Sequence, residues 1–398
     1  MNSLLSDRVN QLAESETLAM SRRSRELQQK GIDVINLSLG EPDFDTPDFI
    51  KEAAKTAIDN NITHYTPVPA LLELRQAISR KFKRDNGLDY SPEQIVVSTG
   101  AKQSIANVAL SLINEGDEVI LPVPYWVSYR EIVGLAGGKV VLMPSSIETD
   151  FKVDFARLGD YITEKTKLII FSSPCNPSGT VYSKDELRAL ADVLIRFPSV
   201  YVIADEIYEH ISYVKKHESL AQFKEIYDQV ITVNGVSKGF AMTGWRVGYI
   251  GAPLPIAQAA GKIQGQITSA TCSIAQKAAE AAVDADPGVT RGMVDAFLRR
   301  RDFIISLLKD IPDIRCNVPD GAFYVFPEVS SYFGKSYQGE VIKNAADLCN
   351  YVLEKGHVAL VPGEAFGSPE CIRISYAASE QNIRTAVDRL KTSLEKLT

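Results

Sequence analysis

Cysteine is scarce in this 398-residue chain, and the little there is has no pattern. Cys175, Cys272, Cys316, Cys349 and Cys371 are odd in number, widely spaced and without a Cys-x-x-Cys pair. That excludes a disulfide framework and gives no thiolate zinc site; reduced, mostly packed thiols are expected. Histidine is rarer still. His64, His210, His217 and His357 share no ligand spacing on a helix face, so no metal catalyst is expected. The 43 Lys and Arg residues gather into no basic run, and with 50 Asp and Glu the net charge is −7, which argues against a nucleic-acid partner. No uncharged apolar run reaches the ~18 residues a membrane span needs. Asp7 and Arg8 fall where a secretory leader requires its apolar stretch, so cytoplasm is the expected address. There is no internal repeat and no low-complexity segment.

What is present is a chain long enough to exceed the roughly 250 to 300 residues at which single cores stop growing, with 45% hydrophobic residues. Two domains are expected. Over residues 46–287, short β-branched runs alternate with longer amphipathic stretches, the pattern of an α/β domain with a largely parallel, buried sheet. The strand runs are Ile95 to Val97, Val119 to Leu121, Leu168 to Phe171, Val200 to Ala204, Val230 to Val233 and Val247 to Ile250. Between the third and fourth, Ser183 and Glu186 form a capping box ahead of an apolar stripe at Leu187, Leu190, Ala191 and Leu194, and Pro198 stops the helix. A long charged helix is expected after Gly288. Strands at Phe323 to Phe326, Val358 to Val361 and Ile372 to Tyr376 then mix with helices, the last of which is capped by Ser379 and turns Ile383, Val387, Leu390 and Leu394 inward. Residues 288–398, with 1–45 as an arm and short strand, make a smaller α+β domain.

In an open parallel sheet ligands bind beyond the carboxyl ends of the strands, and the residues there form an unusual set. Ser98-Thr99-Gly100-Ala101-Lys102 is either a phosphate cradle at a helix N-terminus or an ordinary strand-to-helix turn. Asp205 closes a strand where a buried carboxylate needs a partner or a shifted pKa, or else it caps the next element. Lys238 follows another strand in the small-residue stretch Asn234-Gly235-Val236-Ser237-Lys238-Gly239, which leaves an amine accessible. All three lie on one edge of one sheet.

The stretch Gly235-Val236-Ser237-Lys238-Gly239-Phe240-Ala241-Met242-Thr243-Gly244-Trp245-Arg246-Val247-Gly248 resembles the lysine-site signature of the class I aminotransferases, pyridoxal phosphate enzymes of fold type I. The likeness runs from Gly40-Glu41-Pro42-Asp43-Phe44 to the C-terminal helix and is nearest to the bacterial aspartate aminotransferases. It implies a mostly parallel, seven-stranded sheet flanked by helices, with a smaller α+β domain. It also implies that Lys238 carries pyridoxal phosphate as a Schiff base and later shuttles a proton. Asp205 would pair with the protonated pyridine nitrogen and make the ring an electron sink. Tyr208 and Asn176 would donate to the phenolic oxygen, and Trp126 would stack on the ring and line the substrate site. The backbone of Gly100, Ala101 and Lys102 would hold the phosphate with Ser237 and Arg246, joined by Tyr65 from a neighbouring subunit. Arg373 would bind the substrate α-carboxylate bidentately, assisted by Gly40 and Asn176, while Lys102 and Thr17 stand where bacterial relatives hold a distal carboxylate. A homodimer with shared active sites, and an amino acid and a 2-oxo acid as partners, follow from the same resemblance.

The chain departs from the family pattern at Ala70, where many relatives have glycine, and no arginine stands out for the distal carboxylate. The expected reaction is ping-pong transfer of an amino group between an L-amino acid, aspartate first, and 2-oxoglutarate. Aromatic amino acids or prephenate, or β-lyase chemistry on the same fold, are the alternatives. The complete set of Lys238, Asp205, Tyr208, Asn176 and Arg246 argues against a non-catalytic regulator on this fold.

Overall fold

The computed structural model describes residues 4–14, 16–214 and 216–398. Its centre is a seven-stranded sheet whose strands lie, from one edge, in the order Ile95–Ser98, Gly248–Gly251, Val230–Gly235, Tyr201–Asp205, Thr166–Ser172, Glu118–Pro122 and Lys139–Met143. Only Gly248–Gly251 runs against its neighbours. Six of these strands coincide with the runs read from the sequence. The seventh, Lys139–Met143, was not anticipated: it is an edge strand with Leu142 exposed, so it lacks the apolar continuity that marks a buried strand.

Alternation along each strand explains why both faces are apolar. Ile169, Phe171, Val202 and Ala204 pack into one core, while Leu168, Ile170, Ile203 and Val233 pack into another on the opposite face. The helix Lys184–Leu194 covers the first of these, with Ser183 accepting from the Glu186 N–H in the expected capping box.

Residues near both chain ends build a further core around Val34, Leu37, Phe297, Ile304, Tyr324, Ile372 and Leu390. Here the structure departs from the sequence reading in two places. The segment treated as an arm contains a helix, Glu16–Gln29. The run Val358 to Val361 divides: Val358–Ala359 pairs in parallel with Ile35–Asn36, whereas Val361–Pro362 pairs antiparallel with Ile372–Ser375. The long helix expected after Gly288 is present as Arg291–Leu308, preceded by a 3-10 turn at Pro287–Thr290. The segment just after Asp205 belongs to this third core, through Ile207, Tyr208 and Ile211. One short stretch therefore joins the end of a central strand to the other part of the molecule.

Ala70 is wholly buried at φ 99°, a backbone region that favours glycine, so the alanine there carries strain of roughly 1–2 kcal/mol. Among the described residues no helix is long and apolar enough to cross a membrane.

Candidate active site

A cavity of about 240 Å³ opens at the carboxyl ends of the central strands. At one end the helix Ala101–Leu112 begins, with Gly100 before it at φ 86°. Only glycine suits that position, since a Cβ there would also collide with the Arg246 guanidinium. The N–H groups of Ala101 and Lys102 belong to the helix's first turn, ahead of its own hydrogen-bond ladder. Arg246 is held in place by the Thr243 carbonyl at 2.8 Å and reaches the Thr99 carbonyl at 3.5 Å. Ser237, Lys102 and Arg246 line this end; burial, reinforced by Arg246, lowers the Lys102 pKa. The helix N-terminus with the Arg246 guanidinium beside it, paired to no carboxylate among the described residues, makes a binding place for an anion.

Farther in, Lys238 donates to the Gly40 carbonyl. Burial brings its pKa down to about 8, aided by Arg373 and Arg246 and opposed by Glu41 and Asp205. Far more of the amine is therefore neutral and nucleophilic near neutral pH than for an ordinary lysine. Asp205, the last residue of its strand, accepts from the Tyr129 hydroxyl at 2.6 Å and from the Ile207 N–H at 3.2 Å. Burial still pushes its carboxyl up to about 6, so its charge is costly until something cationic shares the space. Tyr208 and Tyr324 meet hydroxyl to hydroxyl at 2.7 Å, and burial raises the Tyr208 pKa well above the ordinary value.

Arg373 supplies the third anchor. It is 2% exposed, donates to Asn176 Oδ1 at 2.9 Å and to the Ser38 carbonyl at 2.5 Å, and lies over the Tyr324 ring at 4.6 Å. Its Nε has no hydrogen-bond partner, and among the described residues no carboxylate pairs with it. A buried guanidinium without a counter-ion costs several kcal/mol, so the arrangement fits an anionic ligand.

Of the residues singled out in the sequence, Lys238, Asp205, Tyr208, Asn176, Ala101, Lys102, Trp126, Ser237, Arg246, Gly40, Arg373 and Thr17 all line the one cavity. Gly100 abuts it through Arg246. Lys102 lies over the Trp126 ring at 5.0 Å, and Thr17 arrives from the helix Glu16–Gln29. Tyr65 is elsewhere: it is 99% exposed, on a separate groove beside His64 and Cys272. Tyr129, Tyr324 and Ser38 were missed. Tyr129 ends the stretch Tyr125-Trp126-Val127-Ser128-Tyr129, and Tyr324 lies in a strand run, so both were visible as buried aromatics but not as polar partners.

The residues fit pyridoxal phosphate. The cationic end matches its phosphate, Asp205 matches a basic ring nitrogen, and the amine of Lys238 faces the same space to meet the aldehyde. The comparisons with known proteins agree. Residues 32–390 match the model of the family "Aminotransferase class I and II". A petunia protein named bifunctional aspartate aminotransferase and glutamate/aspartate-prephenate aminotransferase is 48% identical over 98% of this chain and 82% of its own length. A probable aspartate/prephenate aminotransferase of Rhizobium leguminosarum is 46% identical over 97% of this chain and 98% of its own. Among solved structures, the aspartate aminotransferase of Rhizobium meliloti superposes with a TM-score of 0.96 at 40% identity, covering all of both chains. That of Thermus thermophilus, determined with maleate, gives 0.92 at 38% identity over 99% of this chain and all of its own. With this cavity, fold of type I and full-length likeness, the chain belongs to the class I and II aminotransferases, a pyridoxal phosphate-dependent family.

Proposed function

We propose that this aminotransferase moves the amino group of L-aspartate to 2-oxoglutarate in two half-reactions. The observation that carries the reading is the buried guanidinium of Arg373, its Nε without a hydrogen-bond partner and no carboxylate among the described residues paired to it, lining the same cavity as the Lys238 amine and a second cation, Lys102. A dicarboxylic substrate has one carboxylate for each, and the maleate of the Thermus thermophilus structure is itself a dicarboxylate.

In this reading Arg373 takes the α-carboxylate, oriented by Asn176 and with Gly40 close by, and Lys102 with Thr17 takes the distal one. The cofactor, when bound, supplies an electron sink that makes the substrate Cα proton acidic. Lys238 Nζ, its pKa already lowered, accepts that proton and returns it on the other side of the reaction. Asp205 holds the ring nitrogen's charge, Tyr208 and Asn176 donate to the phenolic oxygen, and Trp126 covers the ring. The backbone N–H groups of Gly100, Ala101 and Lys102 hold the phosphate together with Ser237 and Arg246, which leaves the Lys102 ammonium for the distal carboxylate. Residues 46–287 provide the cofactor shell, while 1–45 and 288–398 provide Thr17, Gly40 and Arg373 for the substrate. Tyr65 serves a second copy of this chain, which makes the working unit a homodimer.

The test is an absorption spectrum of the cofactor-loaded protein before and after L-aspartate, then after 2-oxoglutarate. The band of the lysine-linked cofactor should vanish and then return. If aspartate leaves the band unchanged while phenylalanine or glutamate removes it, the aspartate assignment is wrong. Prephenate as oxo partner is the second reading, favoured by a further cavity of about 580 Å³ that shares Lys102, Val127 and Ser128 with the first.

A further inference from the structure

Tyr129 is the second residue of the helix Ser128–Leu135 and is wholly buried. Its ring is set edge-on to Trp126, with centroids 5.5 Å apart and planes at 86°. Its hydroxyl donates to Asp205 Oδ2 at 2.6 Å, while Oδ1 accepts the Ile207 N–H at 3.2 Å. Asp205 itself is fixed in register between Ser172 and Val233 of the adjoining strands. Both carboxylate oxygens are thus gripped, one by a buried phenol and the other by a backbone N–H, and the carboxylate has one orientation. Burial, strengthened by the neighbouring carboxylate, raises the Tyr129 pKa well above its ordinary value, so the phenol remains a donor throughout the working range. A donor aimed at a charge in a dry interior is worth roughly twice a neutral pair.

Other groups also face Asp205. Glu206 and Tyr208 come from its own segment, Cys175 from the loop after the neighbouring strand, and Lys238 from the loop after the strand on the other side. Glu206 disfavours the Asp205 charge and Lys238 favours it. Tyr129 is the group from another element that hydrogen-bonds the carboxylate.

We infer that Tyr129 is a positioning residue for cofactor binding: its hydrogen bond orients the Asp205 carboxylate and favours the ionised form, so that a cationic ring nitrogen meets a charge already in place. The inference rests on the proposed pairing of Asp205 with that nitrogen.

The test is the equilibrium affinity of the apoprotein for pyridoxal 5'-phosphate across pH, in the wild type, Tyr129→Phe, Asp205→Asn and the double variant, with the amino-acid KM and kcat of each loaded form. Tyr129→Phe keeps the ring and its contact with Trp126. It should weaken cofactor binding about tenfold or more, shift the acidic fall in affinity to higher pH, and lower kcat with little change in KM. In the Asp205→Asn background the same substitution should change affinity less than about threefold, because the partner is gone. Equal losses in both backgrounds, or no loss and no pH shift in the first, would overturn the inference. If Asp205→Asn itself retained wild-type affinity and pH profile, the pairing with the ring nitrogen would fall and the inference with it. A weakened Asp205→Asn beside an unchanged Tyr129→Phe overturns the inference alone. Should Tyr129→Phe fail to fold, 3-fluorotyrosine introduced at position 129 offers a more acidic donor, and the affinity midpoint should move to lower pH; an unchanged or raised midpoint counts against the role.

Discussion

Asp205 illustrates how a single buried side chain can be tuned against the stability of its own protein. Its carboxyl is pushed up to about 6 from 3.8, chiefly by burial, with the Tyr129 and Ile207 hydrogen bonds opposing. A folded-state pKa raised above the unfolded value gives a contribution that is fully present below pH 3.8 and lost as the pH rises through about 6. Above that, the ionised group costs the apoprotein about 3 kcal/mol. Asp205→Asn should therefore raise the melting temperature of the apoprotein near about pH 7.5 and confer little advantage near about pH 4. Thermal melts of both apoproteins at the two pH values check this; a lower melting temperature for the variant at the higher pH would contradict it. If Asp205 pairs with the ring nitrogen as proposed, the same substitution should lower turnover of the loaded enzyme by at least about 10²-fold.

At the scale of elements, the helix Leu72–Lys81, the π-turn Phe82–Asn86 and the segment after Asp205 are tied by a buried ionic network. Lys81, 1% exposed, pairs with Glu209 and donates to Asn86 at 2.8 Å. His210 lies 3.3 Å from Glu209 and His217 3.1 Å from Glu206. Two groups of potential metal ligands result, Asp85 with Glu209 and His210, and Glu206 with Glu209 and His217. Histidine spacing along the chain did not disclose them. The Lys81 ammonium already supplies the central cation, so the cluster reads as a structural clamp behind the end of the strand Tyr201–Asp205. Burial works against the charge of Glu209, but Lys81, His210 and His217 together hold its carboxyl below the usual range. Its depressed pKa contributes stability above pH 4.5 that is lost as the pH falls through the folded value. Lys81→Met should cost about 3–5 kcal/mol by stranding a buried carboxylate, and the deficit should narrow in acid as Glu209 takes up a proton. Urea unfolding at two pH values reads both effects; a cost under about 1 kcal/mol would show that the network is not a clamp.

For the whole molecule, the consequential feature lies outside the cavity. Tyr65 is 99% exposed, and Leu72 and Ile267 are also uncovered. If Tyr65 completes the phosphate site of a second subunit, Tyr65→Ala and Lys238→Ala proteins should each be impaired, yet mixed dimers should regain activity. One of the two sites in a mixed dimer carries neither change, so random reassociation of equal amounts should restore about a quarter of wild-type activity. Activity no greater than the sum of the separate variants would show that each site is complete within one chain.

What the sequence discloses and what it hides divide along physical lines. The alternation Leu168, Ile169, Ile170, Phe171, the capping box at Ser183 and the glycine-framed Lys238 were legible because strand period, caps and turn chemistry are local properties of the backbone. The roles suggested for Asn176, Arg246 and Arg373 came from motif resemblance, and their gathering around one cavity depends on strand order. The helix Glu16–Gln29 escaped notice because its mostly polar face carries little apolar periodicity, and the edge strand Lys139–Met143 because half of it faces solvent. Tyr129 and Asp205 are 76 positions apart, Arg373 and Asn176 are 197 apart, and Lys81 reaches Glu209 from another element. The sequence by itself determined which chemical groups end each strand and that the chain forms an α/β sheet. Which of those groups face one another, and how burial then moves their protons, was decided only by the tertiary structure, because desolvation and pairing exist only once distant segments are packed together.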